Sequence, residues 1–284
     1  MLGMSKIYVT TFRFSGLICF CVDFLPATEY NPDMVSYNTA PDPVAFELFG
    51  IDIRWYGILM ALGILAGGLV FYMRAPRHGI SRESVLDILI VAIPFGIVFS
   101  RLYYVVFTWE NYSGDLWQIL NFRGGGLSVH GSLIGGILGA YIVARVKKID
   151  FPEGLDAVVP GFAIAQAIAR WGNFFNSEAH GGPTDLPFGI MVMGEKVHPT
   201  FLYESIWCLL LFFFLLWVDN RRKFKGQTAL LYGMLYSAER FFVEALRTDS
   251  LMIGPFRQAQ VLSLLLIVVC GILYIFLTKK QKRS

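Results

Sequence analysis

Charge is scarce in this chain. Only 16% of its 284 residues are Asp, Glu, Lys or Arg, against about a quarter in water-soluble domains. A water-soluble globule of this length is excluded, because there is too little polar surface to cover it. Cysteine is equally sparse. Cys19, Cys21, Cys208 and Cys270 show no metal or redox spacing beyond one short Cys-x-Cys, and the last two lie in apolar runs, where a free Cys packs as a small hydrophobe. No segment shows the ten-residue alternation of a membrane β-barrel. A phosphate-cradling loop is missing too: the glycine run at 124–126 is not followed by Gly-Lys-Ser/Thr. "GLSVH" at 126–130 lacks the second Gly of a serine-hydrolase elbow.

Apolar residues make up 55% of the chain. They come in runs such as Ile58–Phe71, Ile88–Phe99, Leu209–Val218 and Val261–Leu277, and about 20 such residues in a helix cross a bilayer. The pattern predicts an all-α polytopic membrane protein with seven spans, near 53–75, 84–107, 129–146, 154–174, 201–218, 227–246 and 258–277. Pro76, Gly114, Pro152, Gly226 and Gly254-Pro255 punctuate their ends. Fourteen of the 24 Lys and Arg follow spans one, three, five and seven, which by the positive-inside rule puts the N-terminus outside and the C-terminus in the cytoplasm. The domain reading is an N-terminal extension over 1–44, a transmembrane catalytic domain over 45–278 and a basic tail over 279–284. Ile7–Leu25 is a poor span, broken by Arg13 and Asp23. It reads either as a signal-like segment or as part of an untranslated stretch before Met34, and the second is favoured.

With that topology the polar residues inside the spans collect at one depth. Arg101, Arg170 and Arg240 lie near the outer ends of spans two, four and six; Tyr56, His130 and Tyr203-Glu204 lie at the outer starts of spans one, three and five. Asn173, Asn176, Glu178 and His180 follow span four, and Glu244 is one helical turn beyond Arg240. Ionisable groups in spans are costly and mark functional interiors. Several guanidinium groups at the outer interface suit a phosphate, since Arg offers planar paired donors that stay protonated. A phospholipid headgroup is the phosphate available there. His130, His180, His198 and Glu178 share the outer side, but no two of these His have ligand spacing on one helix, so no metal is expected, nor any cofactor. His130 reads either as a base or as a hydrogen-bonded interface residue. Gly131, Gly135 and Gly139, like Gly63 and Gly67, recur every fourth residue and predict close helix packing.

At these residues the chain resembles the prolipoprotein diacylglyceryl transferases. The family signature reads approximately Gly-Arg-x-Gly/Ala-Asn-Phe-x-Asn-x-Glu-x-x-Gly, and Arg170, Gly172, Asn173, Phe174, Asn176, Glu178 and Gly181 match it. So do "RWYGILMALG" at 54–63, "SRLYYV" at 100–105, "HGSLIGG" at 130–136, "HPTFLYE" at 198–204 and "ERFFVEALR" at 239–247. Ala169 replaces the signature's first Gly and Ser132 a usual Gly; both exchanges bear on packing rather than chemistry. The resemblance implies transfer of the sn-1,2-diacylglyceryl group from phosphatidylglycerol to the lipobox Cys thiol of a prolipoprotein. A thioether forms and glycerol phosphate leaves, in the bacterial cell membrane and near its outer leaflet, with no nucleic-acid partner. The acceptor brings the nucleophile, which accounts for the missing nucleophile motif. On this reading Arg170 and Arg240 grip the phosphate, Asn173, Asn176 and Glu178 orient the headgroup and Gly181 lets the backbone approach closely. Glu244 then holds Arg240, Tyr56 lines the lipid entry and His130 deprotonates the thiol, while Arg101 is a phosphate contact or a support behind the site. The competing reading is a transporter or receptor for an anionic lipid, with no chemistry.

Overall fold

The computed structural model describes residues 13–14, 17–18, 39–121, 126–250 and 252–283. The expected N-terminal extension and the glycines at 124–125 fall largely outside them. Among the described residues seven α-helices dominate: α1 Trp55–Arg74, α2 Arg82–Phe107, α3 Val129–Val146, α4 Phe151–Phe175, α5 Thr200–Asp219, α6 Gln227–Leu246 and α7 Gln258–Arg283. Each covers one of the seven apolar segments, and α3 and α6 have the expected bounds. Among the described residues five helices, all but α4 and α6, are long and apolar enough to cross a membrane. The two that fall short carry Gln166, Arg170 and Asn173, and Glu239, Arg240 and Glu244. Large apolar side chains point outward, Leu65 at 68% and Ile90 at 70% exposure among them. That surface needs hydrocarbon rather than water beside it. The chain is a mostly helical, multi-pass membrane protein.

The chain divides into two compact units. The first, residues 1–30 with 87–145, holds most of α2 and α3 up to Arg145. Their contact is made by the glycine series. A Cβ on Gly131 would strike the backbone of Phe99, one on Gly135 that of Phe95, and one on Gly139 would lie 3.0 Å from Ala92 Cα. Ser132 lies against Gly96 in the same seam.

The second unit, residues 31–86 with 146–284, is built around α4, which packs on α1, α5 and α6, while α7 lies along α6. Gly63 meets Ala165, and Gly67 meets Gly161 so closely that a Cβ on Gly67 would lie 2.6 Å from the Gly161 carbonyl. Val159 and Ala163 of α4 form a core with Leu211 and Leu215 of α5, backed by Tyr232 and Tyr236 of α6. Asp150 caps α4 by accepting from Glu153 N, and Pro152 occupies its first turn, a position where a missing N–H costs nothing.

Three hairpins were not foreseen from the sequence: β3 Val44–Leu48 with β4 Ile51–Arg54 leads into α1, β5 Ile190–Val192 with β6 Glu195–Val197 lies between α4 and α5, and β7 Met252–Ile253 with β8 Phe256–Arg257 lies between α6 and α7. The earlier pair, β1 Arg13–Phe14 with β2 Leu17–Ile18, is two residues per strand. The tips Phe49-Gly50 and Met193-Gly194 both have positive φ, the signature of a type I′ turn, in which Asn or Asp usually takes the first place. Phe and Met there hide the turns from a sequence reading.

Candidate active site

At one end of the second unit meet the C-terminal turns of α4 and α6 and the first turns of α1 and α5. Glu204, in the second turn of α5, is 1% exposed. It bridges two cations, with Oε2 3.0 Å from Arg170 Nε and Oε1 2.7 Å from Arg240 Nη1. Arg240 Nη2 lies 2.7 Å from Glu244 Oε2, one turn along α6, the pairing expected of an i, i+4 Arg and Glu. Arg170 Nη2 also donates to Tyr236 Oη at 3.4 Å. The two carboxylates balance the two guanidinium groups, which lets four charges sit in an apolar bundle. They also fix both guanidinium planes. Among the described residues Arg170 Nη1 and Arg240 Nε bond to no protein group, and both Arg side chains stay about a fifth exposed, 20% and 21%. Two oriented, always-charged donor edges are what an anion with several oxygens requires.

The segment after α4 folds back over this cluster. Ser177 and Ala179 take left-handed conformations, φ 53° and 56°, at a cost of about 1–2 kcal/mol each for a residue with a Cβ. That turn brings Glu178 against the last turn of α4, where Oε1 accepts from Asn173 Nδ2 at 2.9 Å and Asn176 Nδ2 at 3.3 Å. With both amide nitrogens drawn to one carboxylate, the amide oxygens are left as acceptors, and Asn176 Oδ1 is buried with no donor among the described residues. Thr200 Oγ1 donates to Ala179 O. Gly181 N donates to His198 O at 2.9 Å, Gly182 N to Leu246 O at 2.9 Å. A Cβ on Gly181 would come within 2.7 Å of His198 Cβ, so this glycine lets the segment lie on the start of α5 and the end of α6. Tyr56 packs over Gly172, where a Cβ would be 2.8 Å from its ring, within electrostatic reach of Glu178 and Arg170.

Arg170, Arg240, Glu244, Asn173, Asn176, Glu178, Gly181 and Tyr56 are thus brought together in one unit. Arg101 and His130 belong to the other. Arg101 is 4% exposed and donates to four carbonyls, those of Ile119, Gly126, Gln118 and Asn121, at 2.6–3.0 Å. Its guanidinium also lies 5.0 Å from the Tyr112 ring. It holds the segment between α2 and α3 by its carbonyls. His130 is exposed in the first turn of α3 and stacks on Tyr103, ring centroids 6.0 Å apart.

Two carboxylates here were given no role from the sequence, although Glu204 was placed at the site's depth. Glu204 is the hub of the cluster, and its signal was a single charge at the head of an otherwise apolar helix. Glu239 lies just before Arg240 and is 7% exposed; its signal was a second acidic residue in the "ERFFVEALR" segment.

The family described as prolipoprotein diacylglyceryl transferase matches residues 43–276. A phosphatidylglycerol–prolipoprotein diacylglyceryl transferase of Clostridioides difficile is 55% identical over 243 residues, 86% of this chain and 98% of that protein. Proteins of the same name from Finegoldia magna and Clostridium novyi are 48% and 46% identical, covering 84% and 86% of this chain and 97% and 98% of theirs. With the signature residues gathered around one paired-arginine cluster, and with that likeness running from the β3–β4 hairpin into the last helix, the chain belongs to the prolipoprotein diacylglyceryl transferase family.

Proposed function

We propose that Arg170 and Arg240 hold the phosphate of phosphatidylglycerol while its diacylglyceryl group passes to the lipobox cysteine of a prolipoprotein. The chain is a transferase of lipoprotein maturation. In this reaction the thiolate sulfur attacks the glycerol carbon that carries the phosphate. A C–S bond forms, the C–O bond breaks and its electron pair stays on the departing glycerol phosphate. The charge that gathers there is met by donors already in place, which lowers the barrier because nothing has to reorganise. The observation that carries the reading is the Glu204 bridge, which orients two guanidinium groups and leaves a donor edge of each unpaired. Asn173 and Asn176, aligned by Glu178, accept from headgroup hydroxyls, and Tyr56 lines the lipid's approach.

A thiol with pKa near 8.5 needs a base. Arginine is too strongly basic to serve; His130, exposed at the head of α3, takes that role in this proposal. In this proposal the seven helices span the membrane with residues 45–278 as the catalytic domain, and the basic segments after α1, α3, α5 and α7 support an arginine cluster at the outer leaflet of the bacterial cell membrane.

The test uses purified protein in detergent with phosphatidylglycerol and a lipobox peptide, following glycerol phosphate release and peptide mass gain. Arg170→Ala is expected to lower turnover by about 10²–10³, the usual cost of one preorganised donor. Turnover near wild type in that variant would remove the phosphate role. A His130→Ala variant with wild-type turnover would remove the base assignment and leave the phosphate site standing.

A further inference from the structure

Glu239 has no place in this scheme, yet it is the most anomalous group in the unit. It lies on the face of α6 that carries Tyr232 and Tyr236, which pack against α4 and α5, and it is within electrostatic reach of Glu204, Arg170 and Arg240. Its side chain is 7% exposed, and among the described residues neither carboxyl oxygen has a hydrogen-bond partner. The neighbouring guanidinium groups are turned to Glu204 and Glu244 instead. A buried carboxyl without a partner costs free energy whether or not it carries its proton. Such a group persists in a native interior when something outside the chain completes it.

We infer that the missing partner is a hydroxyl of the lipid headgroup, and that Glu239 is a specificity-determining residue that reads the glycerol attached to the phosphate. This rests on the placement of the phosphate at Arg170 and Arg240. With the phosphate there, the atoms next along the headgroup come within reach of Glu239, whose carboxyl lies within electrostatic reach of both arginines. A hydroxyl both donates and accepts, so it satisfies a carboxylate and a carboxylic acid alike. A site with a buried acceptor for a hydroxyl rejects an analogue lacking it far more strongly than an apolar pocket rejects a missing methylene, because the acceptor is then left unpaired.

The experiment compares phosphatidylglycerol with phosphatidylpropanol, which keeps the phosphodiester and both acyl chains but has no headgroup hydroxyl. The ratio of kcat/KM for the two lipids is measured in wild type, Glu239→Gln, Glu239→Leu and Arg170→Ala. Wild type is expected to prefer phosphatidylglycerol by more than about 10-fold, since one hydrogen bond to a charged or buried group supplies about 10- to 100-fold and Asn173 and Asn176 add to it. Glu239→Leu lowers the ratio by about 10-fold, down to the part that Asn173 and Asn176 supply, and Glu239→Gln, which keeps an acceptor oxygen, stays above Leu. A wild type that uses both lipids equally overturns the inference without any variant, and so does an unchanged ratio in Glu239→Leu. If Arg170→Ala turns over normally, the phosphate placement fails instead, and that outcome is read independently of the ratio.

Discussion

At the scale of single residues, Glu204 illustrates how a buried charge is made tolerable and useful together. It touches both arginines, so its loss does more than remove one interaction. It leaves two guanidinium groups side by side in an apolar bundle, with Glu244 as the remaining carboxylate paired to Arg240. Breaking a buried pair by deleting one partner costs about 3–5 kcal/mol. Glu204→Ala is therefore expected to lower the melting temperature in detergent markedly and to abolish transfer, because both donor edges lose their orientation. A variant that melts like wild type would show that the arginines are held by something other than this bridge. Glu244→Ala removes a partner of Arg240 only, so it is expected to be the milder of the two in a melting measurement.

Helices and the turns between them were the most legible level. Their ends were marked by Pro76, Pro152, Gly226 and Gly254-Pro255, and both four-residue glycine series lie at helix contacts, Gly63 and Gly67 on α4 and Gly131, Gly135 and Gly139 on α2. The α1–α4 crossing admits no side chain at Gly67, so Gly67→Val must push the helices apart. Overpacking of this kind costs about 1–3 kcal/mol and is expected as a lower melting temperature with the site distorted through Tyr56 and Gly172. The hairpins were not legible, because their strands are only two to five residues long and Phe49 and Met193 stand at the tips where Asn or Asp usually precedes Gly, while Gly254-Pro255 reads simply as a helix end.

The site was legible as a set of residue types at one depth, while its wiring was not. Sequence spacing relates Arg240 to Glu244, but only packing relates Arg170 to Glu204 across 34 positions. The cap of α4 adds a pH-dependent term at this scale. Lys225 Nζ lies 2.9 Å from Asp150 Oδ2. That hydrogen bond, with help from Glu153 N, holds the Asp150 carboxyl below its ordinary value, and the same contact raises Lys225. The stabilisation is thus complete above the usual Asp range near about 3.9 and below the usual Lys range near about 10.4. It fades as pH falls through the lowered Asp150 value, and again as pH rises through the raised Lys225 value. Lys225→Ala should flatten both flanks of the melting-temperature profile against pH, and an unchanged profile would place the pair outside the stability of the fold.

On the scale of the whole second unit, polar residues are concentrated at two ends of an otherwise apolar bundle. Opposite the arginine cluster, Asp156 is fully buried and accepts from Gly226 N at 2.7 Å, Ala229 N at 2.9 Å and Arg222 at 3.2 Å. Asp219 pairs with Arg74 and with His78 at 3.2 Å, while Glu153 pairs with Arg222 at 2.5 Å and His78 at 3.0 Å. Arg74 and Arg222 were counted from the sequence as topological signals, yet both are ion-paired members of this cluster, so their charge is largely answered within the protein. The orientation argument is then carried by basic residues nearer to water, such as Arg77, Lys147 and Lys148, together with the run at the end of α7. It yields a direct prediction. With the native cysteines replaced by Ser, Glu195→Cys on the hairpin beside the arginine cluster should react with a membrane-impermeant maleimide on intact cells. Lys147→Cys, at the other end, should react only after permeabilisation. The reverse pattern would turn the arginine cluster toward the cytoplasm. The surviving basic residues would then have failed to set the topology, and the headgroup would have to come from the inner leaflet.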